Sequence, residues 1–200
     1  EACRRAGGRL KLVVAIDDVE QPIATARRVA ELGALDEVVG VGIWPSYLRT
    51  DSNDRRLYPI YAAAAEAGIF ARVNVGIVGP KWKSSHQHPM LLEDVLIDLP
   101  ELTVVGAHMG HPWERLLIRL MMKFEQLHLM TSAYLPTYFA PEIVQFMNSS
   151  RGIGRLMFAS DFPVINIARA VAAAGQLGLS DLAVREYLGD ALNRLVRWDG

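Results

Sequence analysis

Two hundred residues, 51% of them hydrophobic and 22% charged, suffice for one sizeable core under a polar surface, so a single domain over residues 1–200 is expected. Lys and Arg total 21 against 22 Asp and Glu; this net charge of -1 lacks the basic field that nucleic acid or anionic lipid would attract, and no apolar run is long enough for a bilayer. With only Cys3 there is no internal disulfide, and no signal-peptide pattern appears, which sets the expectation of a reducing, cytoplasmic compartment.

The chain opens on Glu-Ala-Cys-Arg-Arg without an initiator Met and reaches a strand-like run almost at once, so a preceding segment is expected. Leu10–Ile16 is the first apolar run, followed by a helix-spaced stretch, Ile23–Leu32. Glu37–Ile43 and Leu57–Gly68 repeat the pair, and Ala71–Ile77 gives a third strand. Val78–Pro89 is too polar and too broken by Gly and Pro to continue it, and reads as a long functional loop. Then come helix Met90–Asp98, strand Leu102–Ala107, helix Trp113–Phe124, strand Leu127–Thr131 and helix Pro141–Asn148. Strand Arg155–Phe158 and helices Ile165–Leu177 and Asp181–Val196 close the chain. Gly33, Gly68 and Gly178 stand where left-handed helix caps are expected.

Near-continuous apolar strands, rather than alternating ones, suit a parallel sheet covered on both faces. Six βα repeats allow an open doubly wound sheet or a (β/α)₈ barrel; no Gly-x-Gly-x-x-Gly follows an early strand, so a dinucleotide cradle is not expected.

In such sheets, chemistry gathers just past the C-terminal strand ends. Asn74, His108, Thr131 with Ser132, and Ser160 with Asp161 occupy those positions. Asp161 is a candidate metal ligand or general base, or else the N-cap of the next helix. His108 lies among small residues that permit close approach. His86 and His88 share the long loop with Lys81, Trp82 and Lys83, and are expected to meet substrate or solvent. His111 is expected to shape the start of the next helix, and His128, at the opposite strand end, to be structural. No Gly-x-Ser-x-Gly elbow supports a serine nucleophile.

Val-Gly-Ala-His-Met-Gly-His-Pro-Trp, Thr-Ser-Ala-Tyr and Met-Phe-Ala-Ser-Asp-Phe-Pro together resemble the amidohydrolase-related family of TIM-barrel hydrolases and non-oxidative decarboxylases. The closing Tyr-Leu-Gly-Asp-Ala-Leu-Asn-Arg-Leu is similar too, with Asp190 where the family has Asn. The resemblance implies an incomplete (β/α)₈ TIM barrel of the metal-dependent hydrolase type, in which the six strands are the third to the eighth.

It also implies His108 and Asp161 as catalytic or metal-binding residues, with Asn74, His88, Trp113 and Ser132 around a small-molecule substrate. The implied cofactor is a divalent metal, zinc first. The implied reaction is hydrolysis by activated water, with decarboxylation or a non-catalytic barrel as alternatives. Two departures matter: nothing matches the family's first-strand His-x-His, and Asn74 stands where its fifth strand has a ligand histidine, which an amide replaces poorly. A homo-oligomer covering open sheet edges is a further expectation.

Overall fold

A computed structural model describes residues 2–196 and 198. Six strands form one parallel sheet in sequence order: β1 (Leu12–Ala15), β2 (Val38–Ile43), β3 (Phe70–Asn74), β4 (Val104–Ala107), β5 (Leu127–Met130) and β6 (Leu156–Met157). Ten α-helical segments accompany them: α1 (Ala2–Arg5), α2 (Pro22–Gly33), α3 (Pro45–Leu48), α4 (Tyr58–Glu66), α5 (Leu91–Asp98), α6 (Glu114–Lys123), α7 (Pro141–Met147), α8 (Ile167–Ala174), α9 (Asp181–Arg185) and α10 (Ala191–Leu195). Consecutive neighbours joined by helical crossovers make this an α/β fold, six successive units of a (β/α)₈ barrel. No helix of the described residues is long and apolar enough to cross a membrane.

The strands form where both faces can be covered. Every residue of β2, β3 and β4 is buried, as the apolar character of β2 and β4 requires, and in β3 this includes the polar Arg72 and Asn74. β1 departs from that expectation: it has one strand neighbour, and Leu12 and Val13 remain exposed. The helices present apolar stripes to the sheet. In α6, Leu117, Leu120 and Met121 are buried at spacings of three and four, with Glu114 in the first turn and Lys123 in the last, matching the helix dipole. Removing such a side chain, Leu117→Ala for example, is expected to cost about 2–5 kcal/mol.

Of the three glycines, Gly68, at φ 66°, follows the C-cap of α4 in left-handed conformation; Gly178, at φ 69°, is left-handed too but lies beyond the end of α8, whose C-cap is Gly175. Gly33 is not left-handed: it is the last residue of α2, and a Cβ there would lie 2.7 Å from that of Ala67, so the glycine permits close approach of the segment after α4. The closing helix is likewise not continuous. Glu186–Asp190, including Asp190, forms a π-helical turn between α9 and α10. That turn buries Tyr187, whose hydroxyl meets Thr131 at 2.7 Å and whose carbonyl accepts from Phe158 N at 2.8 Å, fixing the chain just after β6.

Inside the curve of the sheet, β3 sets the layers. Side chains two apart on a strand share a face, so Phe70, Arg72 and Asn74 rise in order from the N-terminal ends of the strands to the C-terminal ends. Phe70 packs with Val39, Val105, Met157, Ala191 and Val196 as an apolar floor. Arg72 and Asn74 stand above it.

Candidate active site

The glycines of β2 create room at the C-terminal end. A Cβ on Gly42 would lie 2.7 Å from the Trp44 ring, so that ring folds back across the strand where a side chain would block it. Gly42 is the register partner of Arg72. The Trp44 ring consequently lies 4.8 Å beneath the Arg72 guanidinium, an arrangement favourable to a cation.

Arg72 donates to Asn74 Oδ1, which fixes the orientation of that amide. Asn74 Nδ2 is then a donor facing His108 Nε2 at 3.2 Å, so this ring nitrogen accepts. The opposite nitrogen, Nδ1, carries the proton and faces the Ser132 carbonyl at 3.2 Å and Ser132 Oγ at 3.0 Å. This assignment of the histidine tautomer follows from the donors and acceptors around it. Burial, and secondarily the charge of Arg72, hold the His108 pKa below its ordinary value; the Ser132 carbonyl and Asp161 oppose this. The imidazole is therefore neutral at pH 7.

His108 sits in an unusual turn. It, Met109 and Gly110 have φ of 63°, 54° and 68°, three successive left-handed residues directly after β4. For His and Met this conformation costs of order 1 kcal/mol each. It is held by Ser132 Oγ, which accepts from His108 N at 3.2 Å, and by packing of Gly76 against Gly110, where a Cβ on Gly76 would come within 2.8 Å of Gly110 C.

Asp161 follows β6, exposed and left-handed at φ 56°. It is not the cap of the next helix: Asn166 is, its side chain accepting from Arg169 N at 3.0 Å. Asp161 instead lines a cavity of about 600 Å³ together with Trp44, Arg72, Asn74 and His108, with Trp82 and Tyr134 among its aromatic walls. Among the expected site residues, Asn74, His108 and Asp161 thus share one cavity, and Ser132 stands behind His108.

His88 and Trp113 lie outside the residues lining that cavity. They pack on each other edge to face at 4.7 Å, and His88 Nδ1 accepts from Met90 N at 3.3 Å. His86 pairs with Asp51 at 2.5 Å, which anchors the long loop rather than serving the cavity. A buried Gln87 also anchors the loop, donating to Gly76 O at 3.2 Å, and it lines the cavity as well. From that loop, Trp82 reaches the cavity but Lys81 and Lys83 do not. His111, as expected, binds the helix start through Glu114 at 2.7 Å. Arg72, Trp44 and Tyr134 were not anticipated from the sequence; a charged residue two positions from Asn74 in an otherwise apolar strand was the available signal.

The donor set does not suit the metal that the resemblance implies. Among the described residues no three His, Cys, Asp or Glu side chains converge as a cation cage. At the cavity, Asn74 turns its oxygen to Arg72, His108 Nε2 is engaged by the Asn74 amide, and a guanidinium stands beside both. A divalent ion there would face a fixed positive charge.

The amidohydrolase family model matches residues 1–197. Among solved structures, an uncharacterised TIM-barrel protein from Bordetella bronchiseptica superposes with a TM-score of 0.83 at 24% identity, over 97% of this chain and 69% of that one. The 2,6-dihydroxybenzoate decarboxylase from Rhizobium gives 0.78 at 14% identity, over 97% and 73%. A 5-carboxyvanillate decarboxylase from Novosphingobium aromaticivorans, solved with bound manganese, gives 0.73 at 16% identity, over 97% and 66%. No curated protein matches. With the family model matched along nearly all of its length, this chain belongs to the amidohydrolase family.

Proposed function

We propose that the protein is a non-oxidative decarboxylase of small, conjugated carboxylic acids. The observation that carries this reading is the composition of the cavity: a buried guanidinium, a neutral imidazole and a carboxylate at the rim, between the rings of Trp44, Trp82 and Tyr134. Flat aromatic walls suit a planar substrate, and a guanidinium suits its carboxylate. That several structurally similar proteins are decarboxylases of hydroxylated aromatic acids supports the same substrate class.

In this reading Arg72 orients the carboxylate while His108 Nε2, the free acceptor once the Asn74 amide is displaced, holds a substrate hydroxyl. Asp161 carries a proton between water and the substrate carbon. As that carbon gains hydrogen, its bond to the carboxylate breaks, carbon dioxide leaves and the bonding pair stays with the ring. Zinc has no part in this reading, because the donor set of this chain does not fit it.

The exposure of Asp161 to solvent favours hydrolysis as a second reading, with Asp161 taking a proton from water. Carbon dioxide release from 2,6-dihydroxybenzoate and related hydroxylated benzoates by the full-length protein distinguishes the two. Decarboxylation is expected, falling about 10²–10⁴-fold in Asp161→Asn. Hydrolysis of lactones or amides without carbon dioxide release would replace the first reading by the second.

A further inference from the structure

Arg72 is nine-tenths buried, at 9% exposure, yet no carboxylate pairs with it among the described residues. A buried charge without a counter-ion is costly, and arginines in such positions are normally matched by a carboxylate or phosphate. Asn74 Oδ1 occupies one of its five N–H donors and Trp44 covers one face of the guanidinium; the group lines the cavity, where Asp161 also stands. Burial holds its pKa below the usual arginine value, and the charge of Asp161 opposes that shift, so a further anion would stabilise the charged form.

The surroundings are built to keep this cation in place. Gly42 makes room for Trp44, Trp44 supports the guanidinium, and Asn74 is committed to it through its oxygen. An arginine held merely for packing would need none of these. The same commitments remove Asn74 Oδ1 and His108 Nε2 from the donors open to a metal ion.

We propose that Arg72 is the resident cation of this cavity, taking the place of a divalent ion, so that a carboxylate ligand binds through Arg72 without metal. The inference rests on the carboxylated-substrate reading only for the identity of the anion. Its chemistry is a forked guanidinium–carboxylate pair, with the ring of the ligand against aromatic walls.

The test is calorimetric titration of benzoate, an unreactive probe, into the full-length protein after chelator treatment and again with added manganese. Equal affinity in both conditions is expected. Arg72→Met should weaken binding at least tenfold, and Arg72→Lys less, because a point charge is kept but the fork is lost. Binding that appears only with manganese, no benzoate binding at all, or Arg72→Met binding equal to wild type would overturn the proposal. The wild-type comparison does not depend on whether a variant folds. Carbon dioxide release that requires manganese would leave the decarboxylase reading standing and remove this one. Metal-independent benzoate binding without carbon dioxide release would do the reverse.

Discussion

Two arginine–histidine pairs stand at opposite ends of the same sheet, and they are used in opposite ways. At the N-terminal strand ends, Arg155 donates to the carbonyls of Met121 at 3.1 Å, Phe124 at 2.8 Å and Leu127 at 2.5 Å, tying the end of α6 to the start of β5. His128 lies beside it; burial, with help from the Arg155 charge, brings its pKa down to about 4. At the C-terminal ends, Arg72 spends one donor on Asn74 and faces a cavity, and His108 is held by Asn74 on one side and Ser132 on the other. Burial suppresses imidazole charge at both ends. What separates the two is that one nitrogen of Arg155 is spent on three backbone carbonyls, whereas Arg72 spends one donor on a side chain and faces a cavity that it shares with His108 and Asp161.

This contrast can be broken at either end. The largest effect is expected at the mouth: Asp161→Asn should lower turnover about 10²–10⁴-fold. Its melting temperature should stay near that of wild type, since Asp161 is exposed and caps no helix. At the floor the pattern inverts. Arg155→Met leaves three carbonyls without their donor and should cost roughly 3 kcal/mol of stability in denaturant titration, with ligand affinity of the folded fraction unchanged.

The floor histidine adds a pH dependence. Its folded pKa of about 4 is below the ordinary 6.5, so the unfolded chain takes up the proton first as pH falls. Stability from this group is therefore complete above about pH 6.5 and is lost progressively down to about 4, with a limit on the order of 3 kcal/mol. Comparing urea midpoints of wild type and His128→Gln across that window isolates the contribution. A flat difference would contradict the burial of this ring.

Smaller effects sharpen the account of the mouth. Gly42→Ala places a methyl 2.7 Å from the Trp44 ring and should cost about 1–3 kcal/mol, shift Trp fluorescence and weaken carboxylate binding as the guanidinium loses its support. Ser132→Ala removes one acceptor at His108 N and the hydroxyl beside its Nδ1, a loss of about 1 kcal/mol in stability. The carbonyl of Ser132 remains, so the protonated nitrogen is expected to stay the same.

Much of this was legible in the sequence. Five of the six apolar runs contain an observed strand and the third, Ala71–Ile77, overlaps one that starts a residue earlier at Phe70, because a buried parallel strand leaves a largely hydrophobic signature. His108 was legible because it directly follows such a run, and Asp161 because it lies just past another, after Ala159 and Ser160. Arg72 was not, since its role depends on the two-residue alternation of β3 carrying it to the inner face with Asn74. Trp44 depended on a glycine neighbour that only the register identifies. His88 and Trp113 pack on each other outside the cavity lining, a pairing that loop position does not reveal. Asp161 as a helix cap failed for a simpler reason: the chain turns for several residues before α8 begins, and Asn166 is nearer.

The central claim, that the mouth rather than the floor is where this protein meets its ligand, is tested most directly by a crystal structure of the full-length protein grown with benzoate after chelator treatment. The carboxylate is expected within hydrogen-bond distance of the Arg72 guanidinium, with the ring beside Trp44 and Tyr134. Benzoate bound at another place on the sheet, or its carboxylate held away from Arg72, would contradict it.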